Sequence, residues 1–267
     1  MKTTERDRIR RQVREQYAGI AKSDSVGCAC APSCCTSPDP ASEAVSGKLG
    51  YSLEEIHSVP DGADMGLGCG NPQSIALLEP GETVLDLGSG GGFDCFLAAK
   101  QVGETGRVIG VDMTPDMVSK ARNNAEQGLY ENVEFRLGEI EHLPVADNDV
   151  DVIMSNCVIN LSPDKLQVFK EAFRILRSGG RLAVSDIVAT AEVPDAIRND
   201  SAQYSGCIAG AARVEDIRAM LAEAGFVDLE IDLKEASRAF IRDWFPGSGA
   251  EQFVVSATIT ARKRACL

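Results

Sequence analysis

The sequence contains no run approaching the roughly 18 consecutive apolar residues that a membrane-crossing helix needs. Its opening, Met1-Lys-Thr-Thr-Glu-Arg-Asp-Arg8, lacks the apolar segment of a secretory signal, so a cytoplasmic location is expected and no membrane partner. Basic residues are outnumbered: 27 Lys and Arg stand against 40 Asp and Glu, a net charge of -13. That balance argues against nucleic acid as a partner, because such binding is driven by Lys and Arg neutralising phosphates, and the longest basic run is only Arg262-Lys263-Arg264. Histidine is scarce, with His57 and His142 alone, and neither lies in a motif. Both read as surface or core-edge residues rather than catalysts. No internal repeat is visible, which excludes solenoid architectures. At 267 residues the chain can bury a sizeable core as one large domain, or one domain with a substantial appendage.

What stands out is a glycine turn. Glu82-Thr-Val-Leu-Asp-Leu-Gly-Ser-Gly-Gly-Gly92 reads as a buried strand breaking into a turn that opens a helix. Gly88, Gly90 and Gly92 allow backbone amides to approach a ligand closely. The next apolar run, Arg107-Val-Ile-Gly-Val-Asp112, ends in an acid placed to meet a ribose hydroxyl. The spacing is G-x-G-x-G rather than the G-x-G-x-x-G of dinucleotide folds, and Asp86 precedes the first glycine by two residues. Together with Asp112 this resembles the S-adenosylmethionine (SAM) site of class I methyltransferases; a nicotinamide or flavin enzyme is the alternative.

From Thr83 onward strand and helix alternate. Strands are expected near 84–87, 107–112, 132–136, 150–155 and 180–186, and helices near 93–101, 115–126 and 164–177. The last helix places Leu166, Phe169, Phe173 and Leu176 on one face. This rhythm predicts an α/β fold, Rossmann-like, with a mostly parallel twisted sheet and helices on both faces. Two late segments alternate at period two, Val227-Leu229-Ile231-Leu233 and Phe253-Val255-Ala257-Ile259, and predict an antiparallel C-terminal strand pair. Ahead of them, an insert from Ile187 to about Arg213 is placed to lie over the active site. The first 20 residues have the spacing of an amphipathic helix too thinly apolar to fold alone. Residues 23 to 47, rich in Ser, Pro, Gly and Cys, read as a mobile loop. Three units follow: 1–47, a helix with a Cys-rich flexible segment; 48–186, the cofactor-binding core; and 187–267, the insert, a helix and the last strands.

Nine cysteines, at 28, 30, 34, 35, 69, 95, 157, 207 and 266, are many for a chain with no secretion signal. Thiol chemistry is then expected rather than a disulfide scaffold. Cys157 follows the fourth strand, where the residue points at the transferred group, and cysteine is an odd choice there for an oxygen or nitrogen acceptor. Cys69 and Cys207, taken alone, read as buried structural thiols, and Cys95 as a packed one.

The string Ser155-Asn-Cys-Val-Ile-Asn-Leu161, with Pro163-Asp164-Lys165, closely resembles the arsenite methyltransferases. The resemblance also covers Leu67-Gly-Cys-Gly-Asn-Pro72, Val84-Leu-Asp-Leu-Gly-Ser-Gly90, Val111-Asp-Met-Thr114 and Tyr204-Ser-Gly-Cys-Ile-Ala-Gly210. It implies that Cys69, Cys157 and Cys207 bind trivalent arsenic, that SAM is the cofactor, and that no structural metal is needed. It also implies SAM contacts from Asp86, Gly88, Ser89, Gly90, Asp112, Met113, Glu139, Ile140 and Asn156; for Met113 and Ile140, plain core packing is the competing reading. Tyr51 is a further candidate for the pocket wall. The family carries a redox-active or arsenic-relaying N-terminal cysteine, which Cys34 or Cys35 matches. A metal-collecting tail, or a zinc site shared with Cys69, are other readings of that cluster.

The chemistry agrees with the resemblance. Soft thiolates suit a soft trivalent ion, and three sulfurs leave arsenic pyramidal with its lone pair free as nucleophile. The expected partners are arsenite as a thiol conjugate and a thiol reductant such as glutathione or thioredoxin. Antimony is a further conceivable substrate. Two other functions compete: a SAM-dependent C- or O-methyltransferase of a small metabolite, whose activity survives loss of Cys157, and a thiol-rich metal-binding or redox protein on a methyltransferase fold.

Overall fold

A computed structural model describes residues 3–22, 40–198, 200, 203–204 and 206–265. A seven-stranded sheet forms its centre, in the order β3-β2-β1-β4-β5-β7-β6. The strands are β1 (Thr83–Leu87), β2 (Arg107–Asp112), β3 (Val133–Leu137), β4 (Val150–Asn156), β5 (Leu176–Ala189), β6 (Phe226–Lys234) and β7 (Val254–Lys263). The first five pair in parallel, while β7 runs antiparallel to both β5 and β6. The expected fold class and C-terminal strand pair are therefore both present.

Every residue of β1 is buried, as its apolar run requires for a strand covered on both faces. One face packs Leu85, Leu87, Ile109, Ile153 and Val184 against the helix Lys165–Ile175 through Val168 and Phe169. The other packs Val84, Val108, Val152 and Met154 against the helices Phe93–Val102 and Pro115–Gln127, through Phe96, Val118 and Ala121. β5 is longer than its apolar core, running from Leu176 through a register shift opposite Val150 and Val152. It continues without a break to Ala189, past the start of the insert, because β7 pairs with it as far as Val254.

Two elements flank the sheet's carboxyl ends. α1 (Thr3–Lys22) buries Val13 and forms the expected N-terminal helix. α2 (Pro40–Lys48) corrects the reading of residues 23 to 47 as one loop. Proline at the first helical position loses no hydrogen bond, and Ser46 anchors the helix by donating from Oγ to Asp64 Oδ1 at 2.8 Å. The Ser- and Gly-rich composition concealed it, since its order comes from this tertiary contact. Cys28, Cys30, Cys34, Cys35 and Cys266 lie outside the described residues.

The insert packs over the loop that follows β4. Tyr204 donates from its hydroxyl to the Leu161 carbonyl at 3.3 Å, and a Cβ on Gly210 would sit 2.1 Å from the Asn160 carbonyl oxygen. Cys207, Ile208, Ile187 and Val193 join Val13 of α1 and Ile241 of the late helix Arg238–Trp244 in one apolar cluster.

Candidate active site

The carboxyl ends of β1, β2 and β4 open onto one cavity, as ligand sites do in open α/β sheets. Its walls include Asp86, Gly88, Ser89, Gly90, Asp112, Met113, Ile140, Asn156 and Cys157. Eight of the nine residues that the resemblance assigned to SAM therefore line one space. The ninth, Glu139, is not among them; its carboxylate pairs with Arg10 at 3.3 Å and Arg14 at 3.3 Å, both on α1. The neighbouring Glu141 lines the cavity instead. It is nearly fully buried and pairs with Arg10 at 3.2 Å.

The glycine turn has the geometry its composition suggests. Gly88 has φ +71, and a Cβ there would fall 2.3 Å from Val158 Cγ2. Gly90 has φ +51 and would point a Cβ into open space. Asp112 is braced by two backbone amides, Gly90 N to Oδ2 at 3.1 Å and Thr114 N to Oδ1 at 2.8 Å. Burial raises its pKa while those amides oppose the rise.

Asp94 is a site residue that the sequence reading missed. It lies in the first turn of the helix Phe93–Val102, faces the cavity and is buried with Asp86. Burial, then the charge of Asp94, raise the Asp86 pKa; burial likewise raises that of Asp94. Neither forms an ion pair with a basic side chain among the described residues. Asp94 is instead held by donors: Tyr51 Oη at 2.8 Å, Asn156 Nδ2 at 3.2 Å, and Gln73 Nε2 at 3.4 Å. Tyr51 thus takes the place expected of it on the cavity wall. The one hint in sequence was a carboxylate inside the apolar string Phe93-Asp-Cys-Phe-Leu-Ala.

SAM fits this cavity on three counts. Two buried carboxylates without a cation match a ligand carrying an ammonium and a sulfonium. Ser89 Oγ and Asp64 Oδ2, both on residues of the wall, are buried with no hydrogen-bond partner among the described residues. The turn leaves open space over Gly90, where a Cβ would meet no protein atom.

Behind the cavity three thiols converge from distant parts of the chain. Cys69, Cys157 and Cys207 are buried and unoxidised. The string Gly68-Cys69-Gly70 is small on both sides because the loop presses onto the sheet. A Cβ at 68 would lie 2.7 Å from Asn156 Nδ2, and one at 70 would lie 3.0 Å from the Ser185 side chain. Cys69 Sγ donates to the Ser185 carbonyl at 3.6 Å, and its backbone amide donates to Asn156 Oδ1 at 3.0 Å. Cys157 turns off the end of β4 with φ +59, and Cys207 has φ +64. Such conformations cost a non-glycine residue on the order of 1–3 kcal/mol and cluster at functional sites. Cys207 Sγ approaches the Cys157 carbonyl at 2.7 Å. Of the three only Cys157 reaches the cavity wall.

Burial pushes the Cys69 thiol up to about 11. Burial also raises Cys157 well above the ordinary value, and hydrogen bonding to Cys157, then burial, raise Cys207. At neutral pH all three carry their protons, so no thiolate charge is buried before a ligand arrives. A second unforeseen residue is Asp186, at the end of the apolar part of β5. It accepts from Asn160 Nδ2 at 2.9 Å and Ile187 N at 2.8 Å, and burial lifts its pKa to about 6. Cys95 is packed as expected, although its thiol also donates to Asp86 Oδ2 at 3.3 Å. His57 and His142 are exposed, in keeping with the sequence reading.

Comparison with known proteins places this arrangement. Residues 78–225 match a family model described as a methyltransferase domain. The arsenite methyltransferase of Halobacterium salinarum is 54% identical over 97% of this chain and 68% of its own length. That of Aquipseudomonas alcaligenes is 43% identical over 66% of this chain, which spans only 52% of it. Among solved structures, CrArsM, an arsenic(III) S-adenosylmethionine methyltransferase from Chlamydomonas reinhardtii, superposes with a TM-score of 0.59 at 33% identity, covering 85% of this chain and 74% of that one. No helix of the described residues is long and apolar enough to cross a membrane. With a class I SAM methyltransferase fold and this degree of likeness, the chain belongs to the arsenite methyltransferase family.

Proposed function

We propose that Cys69, Cys157 and Cys207 hold trivalent arsenic and that the chain transfers a methyl group to it from SAM lodged in the adjoining cavity. The observation that carries this reading is that three buried thiols from distant parts of the chain share one apolar cluster, with Cys157 among them reaching the cavity wall. Arsenite enters by exchange: each S–H proton leaves with an arsenic hydroxyl as water, an As–S bond forms, and no base is required. The resulting trithiolate is neutral, which suits a site where burial opposes thiolate charge.

SAM held here would supply an electrophilic methyl on a positively charged sulfur, which would take the C–S electron pair and become a thioether. The chain's contribution is placement. Asp112 would hold the ribose, and Met113 and Ile140 would take the adenine. Asp86, Asp94 and Tyr51 supply negative and polar groups for the amino-acid end. Asn156 fixes the Cys69 loop against the cavity. Proximity of this kind brings reacting atoms to roughly 3–3.5 Å. The arsenic lone pair forms the new As–C bond, so arsenic gains two units of formal oxidation state, and a thiol reductant of the glutathione or thioredoxin class restores it. The setting is a cytoplasmic one and the role is arsenic detoxification.

The test is separation of arsenic species by liquid chromatography with mass detection, after incubating the protein with SAM, arsenite and a thiol. Methylated arsenic is expected. Its absence, with SAM shown to bind, would overturn the reading in favour of a small-metabolite methyltransferase.

A further inference from the structure

The carboxylate of Asp186 stands among the thiols. The Sγ atoms of Cys69 and Cys157 and a carboxylate oxygen of Asp186 all lie within 4.8 Å of one another, and all three residues are buried. Arsenic(III) has no use for the third member of this group, because three thiolates complete its coordination and oxygen is a poor partner for so soft an ion. Two sulfurs and a carboxylate are instead a donor set for a borderline divalent cation, which takes both ligand types and prefers four-coordinate sites. From this geometry we infer that Cys69, Cys157 and Asp186 form a second, alternative site for a divalent thiophilic cation of the zinc class, which competes with arsenite for the same two sulfurs.

Charge counting separates the two occupants. The half-buried Lys165 ammonium lies within electrostatic reach of Asp186 and Cys207 and donates to the Ser162 carbonyl at 3.2 Å. With arsenic on three thiolates, the ion is neutralised and Asp186 faces Lys165 as a balanced pair. With a divalent cation, two thiolates and Asp186 supply three negative charges against the cation and Lys165, and Cys207 keeps its proton. Both states are neutral, and an unbalanced charge among buried groups is costly. Cys207 or a water completes the fourth position. Two protons, from Cys69 and Cys157, leave as the cation binds. The ion is a competitor and not a resident cofactor: it occupies the sulfurs that catalysis needs, so free zinc sets the arsenite concentration at which the enzyme works.

The zinc site rests on the cluster's geometry; only the competition rests on the arsenite reading. The test uses the full chain with Cys28, Cys30, Cys34, Cys35 and Cys266 changed to serine, fully reduced, and measures Zn2+ by competition with a chromophoric chelator. One Zn2+ per chain is expected, displaced one for one by arsenite. Asp186→Asn is expected to weaken Zn2+ on the order of 10- to 100-fold, while arsenite affinity holds. No chelator-competitive zinc, or equal losses for both ligands, would overturn the proposal. As a measure independent of that variant's folding, 113Cd2+ bound to the same serine background should give the NMR shift of a site with both sulfur and oxygen donors, and an all-sulfur shift would remove Asp186 from it. Zinc binding without arsenite binding would sink the proposed function and leave the cation site standing.

Discussion

Asn156 Oδ1 accepts the backbone amide of Cys69 at 3.0 Å, while the same side chain donates through Nδ2 to Asp94 at 3.2 Å and to Gly70 O at 2.9 Å. One amide group therefore ties the wall of the cofactor cavity to the loop that carries Cys69. Replacing it leaves buried donors and acceptors unpaired on both sides, each worth about 1–3 kcal/mol. Asn156→Ala is expected to weaken SAM and arsenite together, each by about tenfold or more on that scale, in separate calorimetric titrations. Loss of SAM affinity alone would show that the link carries no energy.

The glycine turn yields a contrasting pair. Gly88→Ala forces a methyl group against Val158 at a backbone angle that favours glycine. It should lower the denaturation midpoint, with a cost of about 2 kcal/mol or more. Gly90→Ala meets no protein atom; strain of about 1 kcal/mol is expected, with SAM affinity falling much further than stability. Equal losses of stability in the two variants would contradict the placement of the cavity on the Gly90 side.

α1 (Thr3–Lys22) closes the cavity rim by charge. Arg6 pairs with Asp164, Arg10 with Glu139 and Glu141, Arg14 with Glu139, and Lys22 with Asp116, and Arg10, Val13 and Tyr17 line the cavity itself. Arg10→Ala should raise the dissociation constant for SAM by roughly fivefold, about 1 kcal/mol for a partly buried pair. It should also flatten the dependence of SAM affinity on salt. The check is SAM titration of both proteins at low and high ionic strength; parallel salt curves would argue against the helix as a cover.

Thiol protonation sets the pH behaviour of arsenite binding. Burial raises Cys69 to about 11 and Cys157 well above its ordinary value, so the thiols hold their protons throughout the neutral range. Those protons leave as water with the arsenic hydroxyls, and no net proton is released. Arsenite affinity should therefore stay level between about pH 6 and 8. A tenfold rise per unit would mean that a thiolate forms before the arsenic arrives.

How far the sequence disclosed this structure follows from where each signal comes from. β1, the glycine turn and Asp112 were legible because a strand buried on both faces and a backbone approach to a ligand impose local composition. The late strand pair showed in its period-two alternation. The meeting of Cys69, Cys157 and Cys207 was legible only through the family resemblance, since no local pattern records that loops so far apart converge. Asp94 and Asp186 left weak traces, a single acid within or at the end of an apolar run, and their roles depend on neighbours supplied by folding: Tyr51 and Asn156 for one, Asn160 and Lys165 for the other. α2 escaped because its order comes from Ser46 binding Asp64 rather than from helix propensity.

The central claim is that arsenic sits on three particular sulfurs, and X-ray absorption at the arsenic edge counts them directly. Arsenite bound to the reduced chain, with Cys28, Cys30, Cys34, Cys35 and Cys266 changed to serine, should show three sulfur neighbours and no oxygen. Changing Cys207 to serine in addition should give two sulfurs and one oxygen. Retention of three sulfurs in that variant, or loss of bound arsenic from the serine background before Cys207 is touched, would contradict the account.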